Sequence, residues 1–284
     1  MKKYLLILLA LICVIAIGLT VYLHTLHPSN DRGWAPAFSK LNTVTINKDG
    51  SYTIHNFRDF TYSTSSVATR NWREVTIRPE DIESVSFYLS LFAPKIPQIG
   101  HAFVSFRFTD GTTAAFSIEA RREEGEQYTF RGGFLHAYEL QYLWGTERDI
   151  VGQRVVYENQ HIYRFPLELS KEQSQGLLRE LVSETNTLAE TPRFYDSLSA
   201  NCTDLLAKII NKYNPGTLPY NIAWNLPGFS DSYLEGVGFI KTDGLTREQL
   251  RVKYDLLSHR EEIARHASDT PKEFSDFIRS VVST

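Results

Sequence analysis

The most restrictive feature of this chain is at its start. In "MKKYLLILLALICVIAIGLTVYL" no charge interrupts the run from Tyr4 to Leu23. That is close to the ~20 apolar residues a helix needs to cross a bilayer. It is too long for the ~7–15-residue apolar core of a cleaved export signal, and no small-residue cleavage site comes after it. Cys13 sits inside the run behind Leu11 and Ile12, which is not the setting of a lipid-modified cysteine. The pattern predicts an uncleaved signal anchor over residues 1–26. Lys2 and Lys3 then stay in the cytoplasm by the positive-inside rule, and the rest is exported. The expected location is a bacterial inner membrane, crossed once, with the domain in the periplasm. A cleaved signal peptide is the competing reading.

The exported part of the chain has to fold outside the membrane. The 284 residues carry a net charge of −3, with 42% hydrophobic and 13% aromatic residues, enough for a sizeable core. No basic stripe points to a nucleic-acid partner and no acidic tract to disorder. Residues 27–40, "HPSNDRGWAPAFSK", read as a polar tether. "LNTVTINKDGSYTIHNF" is a hairpin around Asp49-Gly50, and "HAFVSFRFTDGTTAAFSIEAR" a second one around Asp110-Gly111. Between them a strand is expected near Ser84–Phe92. "YELQYLWGTERDIVGQRVVYENQHIYRFPLEL" reads as further β-rich runs broken by Gly145 and Asn159.

The period then changes. Ser170 with Gln173 forms a capping box ahead of "KEQSQGLLRELVSETNTL". A Pro- and Gly-rich stretch lies beyond residue 213. Thr246 opens another helix, and Thr270-Pro271 with Glu273 caps the last. Strands first and helices later predict a single α+β domain over residues 41–284, with 217–284 able to form a helical appendage.

Cys202 lies in "SANCTDLLAKIINKY". Cys13 belongs to the anchor, so Cys202 has no disulfide partner in the exported part. A free thiol in an oxidising compartment has to be buried, paired between chains or used. Asn201 is a strong N-cap with Asp204 three residues on as its capping-box partner. Leu205, Leu206, Ile209, Ile210 and Tyr213 form one apolar face. Cys202 then falls in the first helical turn, where free N–H groups and the helix dipole favour an anion. That setting suits a nucleophilic thiolate facing a cleft. An inert buried cysteine fits the position equally well.

A nucleophilic thiol needs a base. Among eight histidines, His101 stands out because it opens a strand directly after Gly100. If Thr109, Asp110 and Gly111 form a three-residue loop, Glu119 lies opposite His101 on one face. A two-residue loop would turn Glu119 to the other face, leaving it as an exposed carboxylate or a partner for Arg121. No H-E-x-x-H, C-x-x-C, acidic calcium loop, Gly-rich phosphate loop or G-x-S-x-G elbow occurs, so neither metal nor cofactor is expected.

Four stretches, "GHAFVSFRFTDGTTAAFSIEARREEGEQY", "YELQYLWGTERDIVGQR", "YRFPL" and "TNTLAETPRFYDSLSANCTDLLAKII", resemble in order the periplasmic domain family named after the lipoprotein N-acyltransferase Lnb. The likeness runs from about Phe57 to Gly238. The order of His-bearing strand, acidic strand and Cys-bearing helix is similar to circularly permuted papain-like folds such as permuted NlpC/P60 proteins. The resemblance implies an antiparallel sheet packed on the Cys helix. It implies Cys202 as nucleophile, His101 as base and Glu119 as its polar partner. It implies acyl transfer or acyl hydrolysis through a thioester, with a membrane lipid or lipoprotein as substrate and room for a second membrane protein as partner. Lnb-type acyltransferases carry further membrane helices, and no second apolar span occurs in this sequence. A cell-wall amidase or peptidase using the same Cys–His site, and a non-enzymatic envelope module with a structural Cys202, are the rival readings.

Overall fold

A computed structural model of the chain describes residues 2–93 and 95–282. Helix α1, Lys2–Thr25, is apolar around its whole circumference and buries none of its residues in the protein. It is long and apolar enough to cross a membrane. The chain beyond it is pinned to the domain at once. Ser29 N–H donates to Glu139 at 3.2 Å, Asn30 Nδ2 donates to Ala189 O at 2.8 Å, and Arg32 pairs with Glu139 at 2.7 Å.

The first hairpin joins β1, Thr43–Ile46, to β2, Tyr52–Arg58. A small separate ribbon holds β3, Thr61–Tyr62, and β4, Val67–Thr69. Then come β5, Trp72–Ile77, β6, Ile82–Leu91, β7, His101–Phe108, and β8, Thr113–Arg121. A short helix, α2, Phe130–Phe134, precedes β9, Glu139–Gly145, and another, α3, Glu147–Gly152, comes directly after it. The main sheet runs β1-β2-β9-β8-β7-β6, ending on β10, His161–Pro166, with β5 also paired to β2. It is mixed, which corrects the wholly antiparallel expectation: β2 and β9 run parallel at Arg58 and Gly145. A Cβ on Gly145 would sit 2.9 Å from Arg58 O, so this close approach needs glycine.

The β7–β8 turn decides the register of the candidate site. Phe108 N–H donates to Thr112 O and Gly111 N–H to Phe108 O, enclosing Thr109, Asp110 and Gly111 as a three-residue loop. Gly111 adopts φ +83°, the left-handed conformation that closes such loops. Phe103 therefore pairs with Ser117 and Arg107 with Thr113.

Helices cover both faces of the sheet. On one face lie α4, Lys171–Glu190, and α5, Cys202–Tyr213. Leu177, Leu178, Leu181, Leu205, Leu206 and Ile209 from these two helices pack with Ala102, Val104 and Phe116. Each such side chain contributes about 2 kcal/mol on leaving water, so docking of the apolar face rather than helix propensity holds α5 in place. On the other face Ile150, Val151, Val155 and Val156 pack with Phe103 and with the C-terminal residues Phe274 and Ile278. The segment after residue 217 contributes to both layers. Its α6, Ser230–Gly236, and α7, Arg247–Tyr254, join the α5 side. Its α8, Arg260–Arg265, and α9, Pro271–Ser280, join the other.

One stretch differs from its β-rich reading. The residues of α3 are helical, and Gln153–Tyr157 is a π-turn continuing that helix. Thr146 caps α3 by accepting from Asp149 N–H. The β-branched residues here are helical because all four apolar side chains bury in the second layer, and tertiary burial outweighs a propensity difference of a few tenths of a kcal/mol per residue.

Candidate functional site

The sulfur arrives from the α5 layer. Asn201 Oδ1 accepts from both Thr203 N–H and Asp204 N–H at 3.0 Å, fixing the first turn. Asp204 does not close the expected box back onto Asn201. It reaches along the helix to Lys208 Nζ at 2.6 Å. With two head amides taken by the cap, the N–H of Cys202 itself makes no hydrogen bond among the described residues. The thiol is only 2% exposed and belongs to the main core, which corrects the expectation that it faces an open cleft.

Cys202 meets the sheet where its ladder ends. The β7–β8 pairing stops at Phe103 and Ser117, and the next amide, Ala102 N–H, donates to Cys202 Sγ at 3.5 Å. The Cys202 sulfur is near enough to His101 to help raise the pKa of its imidazole. His101 Nε2 lies 2.7 Å from Ser117 Oγ and 3.4 Å from Glu119 Oε1. Ser117 Oγ in turn donates to Glu119 Oε1 at 2.6 Å. A hydroxyl has one proton. Ser117 gives it to Glu119, so it accepts from His101, and Nε2 must carry a hydrogen. Nδ1 is then the basic nitrogen of the neutral ring and the one left for the sulfur.

Two members of this group escaped the sequence reading. Ser117 is fully buried. It lies two residues before Glu119 and hence on the same strand face, a signal present in the sequence but shared by many strand serines. Arg154 comes from the π-turn and pairs with Glu119 at 2.9 Å while stacking over Phe103. Its signal lies hidden in a run whose β-branched residues suggest a strand. The charges tune one another. Burial alone would lower the His101 pKa, but the Glu119 carboxylate and the neighbouring sulfur outweigh burial and Arg154 and push it up to about 9. Burial would raise Glu119, but His101 and Arg154 hold its carboxyl well below the usual range. Burial first, then the nearby Cys202, pushes the Tyr195 phenol well above its ordinary value, so this side chain stays protonated beside the sulfur. The constellation can therefore accept a thiol proton, return it, and keep the imidazole oriented throughout.

A narrow apolar slot of about 80 Å³ runs along α5 from Thr203, the residue after Cys202, and Cys202 itself does not line it. Thr203, Leu206, Ala207 and Ile210 of α5 form one wall, with Leu177 from α4, Val104 and Phe87 from the sheet, and Leu234 and Phe239 opposite. Leu206 is one turn below Cys202 on the same face of the helix. Among the described residues no group of three or more His, Cys, Asp or Glu side chains is placed to hold a metal.

No curated protein and no solved structure matches the chain. The family model described as the Lnb N-terminal periplasmic domain matches residues 68–226. That span is over half the chain and runs from β4 to the loop beyond α5, so it holds Cys202, His101, Ser117, Glu119 and Arg154 together. On that match the chain belongs to the Lnb N-terminal periplasmic domain family.

Proposed function

We propose that this protein is a thiol acyltransferase or acyl hydrolase held at the inner membrane by α1, with its domain in the periplasm and a circularly permuted papain-like arrangement of His strand, acidic strand and Cys helix. The observation that carries the reading is the linked set His101–Ser117–Glu119 beside the Cys202 sulfur, which the Ala102 amide next to His101 holds at the end of the ladder. The raised pKa of His101 means that the proton shared with Cys202 rests on Nδ1 before substrate arrives, and the sulfur attacks the carbonyl carbon of an ester. The tetrahedral oxyanion meets the Cys202 N–H, with the Tyr195 phenol as a second donor. As the carbon–oxygen bond breaks, the imidazolium gives its proton to the departing alcohol. A thioester on Cys202 remains. An amine or water, deprotonated by the same ring, attacks this thioester and releases an amide or a carboxylic acid, restoring the thiol.

The slot favours acyl chemistry over peptide cleavage. Thr203 to Asn214 spans about 16 Å of helix at the usual rise, and the walls along it are almost wholly apolar. A stem peptide would leave its backbone amides unpaired there, whereas a fatty chain would not. The family's periplasmic placement and a helix suited to single-pass anchoring support the choice of a lipid or lipoprotein as substrate.

The test is intact-mass analysis of the purified chain incubated with phospholipid vesicles. An added mass equal to one fatty acyl group, lost with hydroxylamine and absent from Cys202→Ser, is expected. No adduct on the wild-type chain, together with cleavage of a cell-wall peptide, would replace this reading with the amidase. Neither adduct nor cleavage would leave Cys202 as a structural thiol.

A further inference from the structure

Four loops close a ring over the N-terminal end of α5, and each carries large apolar side chains in water. The β6–β7 loop bears Phe92 and Ile96, 36% and 50% exposed. The α2 segment bears Phe130 and Phe134, the loop before Cys202 bears Leu198, and the loop after α5 bears Ile222. Neighbours around the ring touch. Phe92 meets Tyr128 edge-on with ring centroids 6.4 Å apart. Ser197 Oγ donates to Phe130 O at 2.9 Å, and the Asn225 amide donates to Leu198 O. Gly228 N–H donates to Gln98 O at 3.0 Å, closing the circle. Two of the four loops run straight into His101 and Cys202. Exposed apolar residues scattered singly mean little, but a contiguous apolar rim around a site marks a docking surface.

The end of the anchor identifies what that surface meets. Tyr22, Leu26 and His27, where α1 leaves its apolar stretch, face Arg131, Leu135 and His136 of the α2 loop across one cavity. The level at which the chain exits the bilayer is thus the level of that loop and of the rim continuous with it. Lys95 and Arg131, both exposed, flank Ile96 and Phe130 and suit lipid phosphates. The Tyr220 ring, exposed and packed on Trp224, adds an interfacial aromatic.

We propose that this four-loop rim seats on the outer face of the bilayer that holds α1, with the mouth of the Cys202 site pressed to the lipid. Lipid then reaches the thiol from below the rim rather than through water, which accounts for a sulfur closed to solvent. The proposal rests on α1 lying in the bilayer. It does not require the thiol chemistry.

Depth-dependent quenching tests it on the full chain. Cys202→Ser leaves Cys13 as the only thiol to carry an environment-sensitive fluorophore. Adding Cys13→Ser allows single labels at Phe130→Cys, Ile222→Cys and Ile46→Cys. Ile46 is exposed on the far edge strand and serves as the control. Each protein is reconstituted into phosphatidylethanolamine–phosphatidylglycerol vesicles with spin-labelled acyl chains. Severalfold stronger quenching at 130 and 222 than at 46 is expected. Quenching at Cys13 with none at 222 beyond the control would overturn the rim alone. Absence of quenching at Cys13 as well would overturn the anchor and the rim together. Because every labelled protein lacks Cys202, failure of the acyl-enzyme reading leaves this outcome untouched.

Discussion

Replacing Glu119 by Gln removes one negative charge and almost no volume, and its consequence can be worked from the site. His101 titrates at about 9 rather than 6.5 because the carboxylate outweighs burial and Arg154. At about 1.4 kcal/mol per unit, that rise is worth about 3 kcal/mol, and the imidazole is only 14% exposed, so solvent screens little of it. A folded value above the unfolded one means the native state holds the proton more tightly. The stabilisation is complete below about pH 6.5 and is lost as pH rises through about 9. Native stability should therefore fall by about 3 kcal/mol across that window.

In Glu119→Gln, burial and Arg154 act with only the sulfur against them. The imidazole then drops below its ordinary value, and the stability loss between pH 6.5 and 9 disappears. Arg154, with only 7% of its side chain exposed, loses its charged partner. That adds a pH-independent cost of about 2–4 kcal/mol, partly offset because the amide oxygen still accepts from it. The assays are urea unfolding of the full chain in detergent micelles from pH 6 to 10, and NMR titration of the His101 ring proton, assigned by its loss in His101→Gln. A native imidazole titrating near 6.5, or an unchanged slope in Glu119→Gln, would refute the electrostatic account.

Cys202→Ser should abolish acyl transfer and His101→Ala should nearly do so, while the double variant is no worse than the worse single one, because the two act in series. Ser117→Ala should lower turnover more than substrate affinity, since it frees the imidazole without touching the slot, and a change in KM alone would count against the orienting role. Asn201→Ala removes the acceptor of two amides and should cost about 1 kcal/mol in urea unfolding; an unchanged midpoint would show that the cap is not needed. Ala207→Phe should fill the slot and shift ester hydrolysis from long-chain to short-chain substrates, with stability changed by only about 1–3 kcal/mol. Gly228→Ala would drive a Cβ into Pro97 O, so the ring of loops should open and become susceptible to protease at residues 95–98.

The parts of the site differ in how far local sequence could reveal them, and the difference is physical. A hairpin is a local object. Gly111 can take φ +83° at no steric cost, the loop length fixes the register, and the register puts Glu119 opposite His101. The N-cap is local too, so Asn201 announced the start of α5. Asp204 shows the limit of such rules, because Lys208 one turn on competes for its carboxylate and wins. Arg154 lies beyond any local rule. The run around it is rich in Ile and Val, and only the second core layer makes it helical, so its partner could not be placed before its fold was known.

The burial of Cys202 is of the same kind. Capping says where a thiol enters a helix, but its burial comes from the core into which α5 docks against the sheet. The site is also assembled through the sheet rather than on it. Alternation along β8 turns Phe116, Ile118 and Ala120 toward α5 and leaves Ser117 and Glu119 on the side of Arg154. The sulfur comes from the first side and the acid from the second, and they can meet only where β7 and β8 part after Phe103 and Ser117. His101, at the first position of β7, is the one residue on that strand free of the ladder on the β8 side and still long enough to touch both. A histidine moved two residues along, as in His101→Phe with Phe103→His, keeps the strand face but lies inside the paired ladder. It should contact Glu119's side of the sheet and lose Cys202, with transfer abolished while the fold survives.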